Sequence, residues 1–239
     1  IGEGTTVTIN GEVSYNIIWF FSAFIGFFIA IFTSLHVGSD FSDRTINYKI
    51  ISGYSRPKIY LSYLITCIIE GLMCLFTYIF IILIFGLFFL EPSGLGTIEI
   101  LKLLGEVILL TISFTSLFTL LSVLFADKTL TVVISTIIVF GLSILSFLML
   151  EHLKEPEYVN QTVVADNGLV VENVKNAKYL TGTKRKVYEV TNDILPSSIA
   201  WRISDLSILS RKYVVYYMIV FIVGCNLIGI SILSKKQLR

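Results

Sequence analysis

The sequence predicts an all-α polytopic membrane protein, and three observations carry that expectation. Charged residues make up 15% of the chain, where a soluble domain carries about 25%. Hydrophobic residues reach 55% with a mean hydropathy of +0.83. The apolar residues are also gathered into long runs: Ile17 to Leu35 reads IIWFFSAFIGFFIAIFTSL without one charge. About twenty such residues cross a hydrocarbon core about 30 Å thick as helix. Lipid offers no partner for a free backbone N–H or C=O, so each crossing run is expected to be helical.

Five spans follow from the runs: residues 17–37, 59–90, 100–125, 130–150 and 213–233. The second is long enough to include a tilt or an interfacial turn. Between them, the segment 38–58 carries Arg44, Lys49, Arg56 and Lys58, the turn 126–129 carries Lys128, and the tail carries Lys235, Lys236 and Arg239. The segments 1–16 and 91–99 carry no Lys or Arg. Basic residues in short loops mark the cytoplasmic side. The segment 38–58, the Lys128 turn and the C-terminal tail are therefore expected inside. Residues 1–16, 91–99 and 151–212 are expected outside, since loops near 60 residues cross largely regardless of charge. A chain that starts outside calls for one more span before Ile1, making six.

The external part is expected to be small and mixed α/β. Residues 161–174 alternate β-branched and polar positions around Asp166-Asn167-Gly168, a hairpin signal. Residues 1–10 alternate similarly and would add a strand. Residues 175–193 read as helical or irregular. Residues 195–209 place Ile199, Ile203 and Leu206 on one helical face, which predicts an interfacial helix with Trp201 at headgroup level.

The stretch 38–62 is the most informative. Ser39 or Asp40 suits an N-cap and Asp43 a first turn. Phe41, Thr45, Tyr48 and Ile51 recur at helical spacing, with Ile46 and Ile50 as a neighbouring stripe. Arg44 and Lys49 fall on the polar flank, and Gly53 suits the end. The expected element is an amphipathic helix over residues 39–53, lying along the cytoplasmic surface. It reads as an interfacial anchor or as a helix on which a partner pushes.

Few residues suggest chemistry. Cys67, Cys74 and Cys225 lie inside apolar runs, which favours inert buried thiols over a disulfide or zinc framework. His36 and His152 are expected near opposite membrane faces, with no carboxylate cluster beside either. Glu70 falls near mid-membrane by residue count, where a carboxylate is costly and marks a candidate substrate path. Glu106 follows Lys102 by four residues and is expected to pair with it. No basic, aromatic-rich tract points to nucleic acid. Gly182-Thr183-Lys184-Arg185 lacks the first glycine and the hydroxyl residue of a P-loop.

The segment DFSDRTINYKIISGYSRPKIYLSYLI resembles the one after the second transmembrane helix of ABC-2 type permeases, closest to the subfamily of bacitracin resistance and peptide-antibiotic export. Asp40-Phe41, Thr45-Ile46-Asn47, Gly53-Tyr54-Ser55-Arg56 and Ile59-Tyr60-Leu61-Ser62 stand in the family's order. Residues 177–196, AKYLTGTKRKVYEVTNDILP, resemble its external segment before the last helix. Asn47 departs from the arginine of many relatives. The resemblance implies a six-helix transmembrane domain whose first helix precedes Ile1. It also implies that the cytoplasmic helix is a coupling helix seated on a separate ATPase subunit. Asp40, Phe41, Arg44, Thr45, Tyr48, Lys49, Gly53, Tyr54, Ser55 and Arg56 would form that coupling region, with Arg44, Lys49 and Arg56 facing acidic groups of the partner. ATP and Mg would be held by the partner, the chain itself having no cofactor and no catalysis. Two permease subunits, identical or homologous, would export an amphipathic peptide, antibiotic or lipid-like substrate from a bacterial cell. The alternatives are a membrane immunity or sensor protein that binds a toxin, and an intramembrane enzyme, for which convergent catalytic groups in the spans are wanting.

Overall fold

The computed structural model describes residues 12–89, 96–165, 168–204 and 213–236. Their elements run α1 (Glu12–Ser42), α2 (Thr45–Ile51), α3 (Arg56–Phe89), α4 (Thr97–Phe125), α5 (Lys128–Lys154), β1 (Tyr158–Ala165), β2 (Gly168–Lys175), α6 (Gly182–Ile194), α7 (Pro196–Ser204) and α8 (Val214–Lys235). Among the described residues, α1, α3, α4, α5 and α8 are long and apolar enough to cross a membrane. The chain is a multi-pass α-helical membrane protein.

α4 forms the centre of the bundle. It packs on α1, α3 and α8, and its window is 61% buried against 17% for α3 and 22% for α8. Small hydroxylated residues make that possible. Thr111, Ser113, Thr115, Ser116, Thr119 and Ser122 are all fully buried, and small side chains let helix backbones approach closely in a membrane. Five of these hydroxyls donate to the carbonyl one turn back on α4 itself: Thr111 to Val107, Ser113 to Leu109, Thr115 to Thr111, Ser116 to Ile112 and Ser122 to Phe118, each at 2.7–2.8 Å. Glycines on the neighbours complete the fit. A Cβ on Gly26 of α1 would lie 2.9 Å from the Phe114 ring, and one on Gly71 of α3 would lie 3.0 Å from Thr111.

Two ends of the bundle differ in charge. At the basic end, α1 stops beside the start of α5, where the Lys128 N–H donates to Ser42 Oγ at 2.9 Å. Asp127 caps α5 by accepting from the Leu130 N–H at 2.8 Å, and Ala126 turns the chain in the left-handed region at φ 53°. At the other end the two strands pair antiparallel, with Ala165 opposite Gly168 and Tyr158 opposite Lys175. Asn176 closes the base of this hairpin, its side-chain amide donating to Glu155 Oε2 at 2.8 Å and to the Pro156 carbonyl at 3.1 Å. The turn residues Asp166 and Asn167, and the strand expected over residues 1–10, lie outside the described residues.

Three expectations are corrected. α1 begins at Glu12 and continues to Ser42, so residues 12–16 belong to the first helix rather than to an external segment. Ser39 and Asp40 form the last turns of α1 rather than the cap of the next helix. Gly38 does not stop α1; a Cβ there would lie 2.8 Å from the Lys128 Cα, so this glycine serves the close approach of α5. The break comes at Arg44, with φ 58°, and the separate helix spans Thr45–Ile51 rather than 39–53.

The third correction concerns α7. Eight of its nine residues are buried, including Ser197, Ser198, Arg202 and Ser204. It is wedged among α1, α5 and α4 instead of lying along the surface. Several polar groups along α7 meet polar partners inside, which makes its burial possible. Ser197 shares a 2.7 Å hydrogen bond with Ser146. Ser22 of α1 donates to the Ala200 carbonyl at 2.8 Å. The Trp201 indole donates to Ser143 Oγ at 3.0 Å.

Arg44 supplies a first prediction. An L-residue in the left-handed region costs about 1–2 kcal/mol that glycine largely avoids, and the Arg44 side chain is exposed. Arg44→Gly is expected to raise thermal stability in detergent by about 1 kcal/mol. A lower melting temperature would show that the guanidinium contributes more than the backbone strain removes.

Candidate functional site

The basic end is organised around Asp40. A carboxylate in the last turn of a helix faces the negative end of the helix dipole, so it needs donors from elsewhere. Thr45 Oγ1 of α2 donates to Asp40 Oδ1 at 2.8 Å. Tyr63 of α3 donates to Oδ2 at 2.8 Å. Lys49 of α2 forms an ion pair with the same oxygen and lies 4.6 Å from the centre of the Tyr63 ring. One carboxylate thus ties three helices together.

Apolar packing holds the same corner. Phe41, Ile46, Ile59, Tyr60, Val37 and Leu233 form one buried cluster, with Ile50 packed against it. The inward stripe of α2 is therefore Ile46 and Ile50. Tyr48 and Ile51, expected to share a face with Phe41, point the other way: Ile51 is 81% exposed and Tyr48 70%. Phe41 belongs to α1. The end of α2 follows the predicted glycine stop. Gly53 adopts φ 88°, its N–H donates to the Ile50 carbonyl at 2.9 Å, and the Tyr54 N–H donates to the Lys49 carbonyl at 3.2 Å. This pair of bonds satisfies carbonyls that a helix end otherwise leaves open.

Arg56 and Lys49, expected to face outward, are both used within the chain. Arg56 Nη1 donates to the carbonyls of Leu233, Ser234 and Lys236 at 3.1, 2.9 and 2.6 Å, which caps the C-terminal end of α8. Lys236 does the same for α4, donating to Val123 and Leu124 at 2.7 and 2.8 Å. Burial lowers the Lys236 amine from its ordinary value; the two carbonyls oppose that shift by accepting from the charged form. Arg44, Tyr48, Gly53, Tyr54 and Ser55 remain exposed. The residues expected to form a coupling region therefore divide into an inner set, Asp40, Phe41, Thr45, Lys49 and Arg56, and an outer set that looks away from the bundle. Tyr63 and Lys236 are additional members that the sequence reading missed. A tyrosine seven residues into α3 and a lysine in a basic tail carry no motif that announces either role.

Glu70 has a partner that the sequence did not suggest. His36 Nδ1 of α1 lies 3.0 Å from Glu70 Oε1 of α3, with both side chains a little over one-third exposed. His36, expected to have no carboxylate cluster beside it, meets a single carboxylate, Glu70, because antiparallel α1 and α3 bring the two to one level. His36 is six residues, about 9 Å of helix, from Ser42. Along α3 itself, Glu70 lies midway between the ends of the apolar span Arg56–Ile84. Glu106 lies in the field of Lys102, as expected, and also in that of Arg202 of α7.

The geometry describes a short helix clamped to a membrane bundle on one face and bare on the other. No family model matches this chain, and no curated protein or solved structure matches it.

Proposed function

We propose that the chain is a transmembrane permease subunit of an ATP-driven exporter, with ATP hydrolysed by a separate subunit that docks on α2. The observation that carries this reading is the two-faced fixation of α2. Ile46 is 2% exposed and anchored, while Ile51 is 81% exposed and Tyr54 61%. Bare apolar and aromatic side chains at one end of an otherwise basic surface suit a protein partner. The inner clamp suits transmission, because Asp40 links α2 to both α1 and α3, and a discrete movement of α2 would shift both helices. The basic short loops put this end in the cytoplasm, where the ATPase would reside. The resemblance to ABC-2 type permeases supports the same reading and suggests an amphipathic peptide, antibiotic or lipid-like substrate. It also suggests a second permease subunit, since one bundle leaves little room for a peptide.

The test uses Ile51→Glu, which charges the bare face without touching the clamp. Purified from its native membrane, the wild-type chain is expected to retain a subunit carrying a P-loop, with substrate-stimulated ATP turnover. Ile51→Glu is expected to lower that turnover by about ten-fold or more at unchanged melting temperature. Arg56→Glu is the poorer variant, because it also uncaps α8. A correctly folded wild-type chain that purifies without an ATP-hydrolysing subunit overturns the reading.

A further inference from the structure

A groove of about 450 Å³ opens between the end of α2 and the start of α3, lined by Lys49, Tyr54, Lys58, Ile59 and Ser62. Its size falls within the ~300–1,000 Å³ of small-ligand sites. Its chemistry is one-sided, with two ammonium groups and two hydroxyls and no carboxylate among the lining residues. The nearest acid, Asp40, is already covered by Lys49, Thr45 and Tyr63. Lys58 makes no ion pair or hydrogen bond with the described residues, and it is exposed. A cation held beside a concave, donor-rich wall suits an anion.

The place of the groove selects the source of that anion. Lys58 is the last charged residue before an apolar run from Ile59 to Ile69, so it stands where the hydrocarbon begins. Directly beyond the groove, α3 presents Leu61, Ile65 and Ile69, each 43–57% exposed. Their spacing of four places them along one face of the helix. The surface is therefore donor-rich at headgroup level and apolar immediately above it. We propose that this groove binds the phosphate headgroup of an anionic phospholipid, whose acyl chain lies along Leu61, Ile65 and Ile69. The phosphodiester takes Lys58 Nζ and the Tyr54 and Ser62 hydroxyls, with Lys49 closing the inner wall. The groove shares Lys49 with the clamp and Tyr54 with the bare face of α2, and is told apart from the ATPase-docking reading through Lys58 and Ser62, which belong to neither.

Native mass spectrometry of the detergent-purified full chain tests it, with added phosphatidylglycerol against phosphatidylcholine. The wild type is expected to retain phosphatidylglycerol preferentially. Lys58→Gln is expected to reduce that retention about five-fold, the effect of one lysine at an anionic surface. Ser62→Leu, which fills the groove, is expected to reduce it without changing charge. Lys128→Gln, a charge removed at the same end outside the groove, is expected to leave it unchanged. Equal losses in Lys58→Gln and Lys128→Gln would reduce the effect to a diffuse surface field and overturn the site. So would equal retention of the two lipids in the wild type. Displacement of the lipid by an equal concentration of glycerol 3-phosphate would overturn the lipid assignment in favour of a water-soluble phosphate. Unchanged lipid retention in Lys58→Gln, with loss of a copurifying ATPase, would assign the groove to a protein partner instead.

Discussion

Arg202→Ala is expected to destabilise the hairpin end by about 3–5 kcal/mol, the cost of breaking a buried ion pair by removing one of its members. Arg202 and Asp193 are 7% and 9% exposed, and their nearest atoms lie 2.7 Å apart. Asp193 sits near the end of α6 and Arg202 in the last turn of α7, with Leu195 between the two helices. The pair therefore folds α7 back against α6 and holds it between α1 and α5. Glu106 lies within the fields of Arg202 and Lys102, so removing the guanidinium also takes one of two favourable charges from that acid. Asp193→Ala is expected to cost a similar amount. The double variant Arg202→Leu with Asp193→Leu is expected to recover part of the loss, because the Asp193 carboxylate is then not left buried without the guanidinium.

Two measurements separate a local from a global effect. Chemical or thermal unfolding in detergent gives the stability change. In a Trp19→Phe background, Trp201 emission reports on α7 alone, because its indole is hydrogen-bonded to Ser143. Arg202→Ala is expected to shift that emission to the red before the bundle melts. A shift that coincides with global melting would mean that α7 and the spans unfold as one unit. An unchanged melting curve with unchanged emission would refute the energetic role given to the pair.

Gly229→Val carries the second large effect. A Cβ at Gly229 would stand 2.5 Å from carbons of the Tyr60 ring, well inside contact distance. Tyr60 is fully buried, and its hydroxyl donates to Asn226 Oδ1 at 3.1 Å. Asn226 in turn donates to Ser116 of α4 at 3.1 Å. The ring therefore has nowhere to go without breaking a link that joins α3, α8 and α4. Overpacking of this kind typically costs about 1–3 kcal/mol, and a β-branched side chain against a pinned ring belongs at the upper end. Gly229→Ala is expected to cost about half as much. Tyr60→Leu is expected to rescue part of the Gly229→Ala loss in a double-mutant cycle. Independent, additive losses would show that the two residues do not compete for the same space.

Much of this architecture was legible because lipid imposes a coarse rule on sequence. The five apolar runs became α1, α3, α4, α5 and α8 with ends moved by a few residues. The alternation near Asp166-Asn167-Gly168 became a hairpin. The failures occurred where polar residues are satisfied by tertiary partners. α7 looked interfacial because Ser197, Ser198, Arg202 and Ser204 read as solvent-seeking, yet Ser197 and Trp201 find partners on α5 and Arg202 finds one on α6. Asp40 looked like a cap because nothing local reveals Tyr63, twenty-three residues away. Arg56 looked outward-facing because its acceptors are backbone carbonyls of Leu233, Ser234 and Lys236, and main-chain groups leave no trace in residue identity. His36 and Glu70 were each read alone, since antiparallel packing had to be known before their levels matched.

The hydroxyl stripe of α4 has a mechanical consequence. A buried polar side chain usually fastens two elements, so moving one breaks a bond. Thr111, Ser113, Thr115 and Ser122 instead take their acceptors from α4's own backbone, and those bonds travel with the helix. Neighbouring helices can slide along this surface by about a residue's rise without stripping these hydroxyls of their acceptors. Among the described residues, the Asn226–Ser116 link and the bonds from Lys236 to the Val123 and Leu124 carbonyls resist that movement, latching α4 to α8 and its C-terminal end. The centre of the bundle is built as a bearing: close-packed, carrying a stripe of hydroxyls satisfied within α4, and held at a few polar latches.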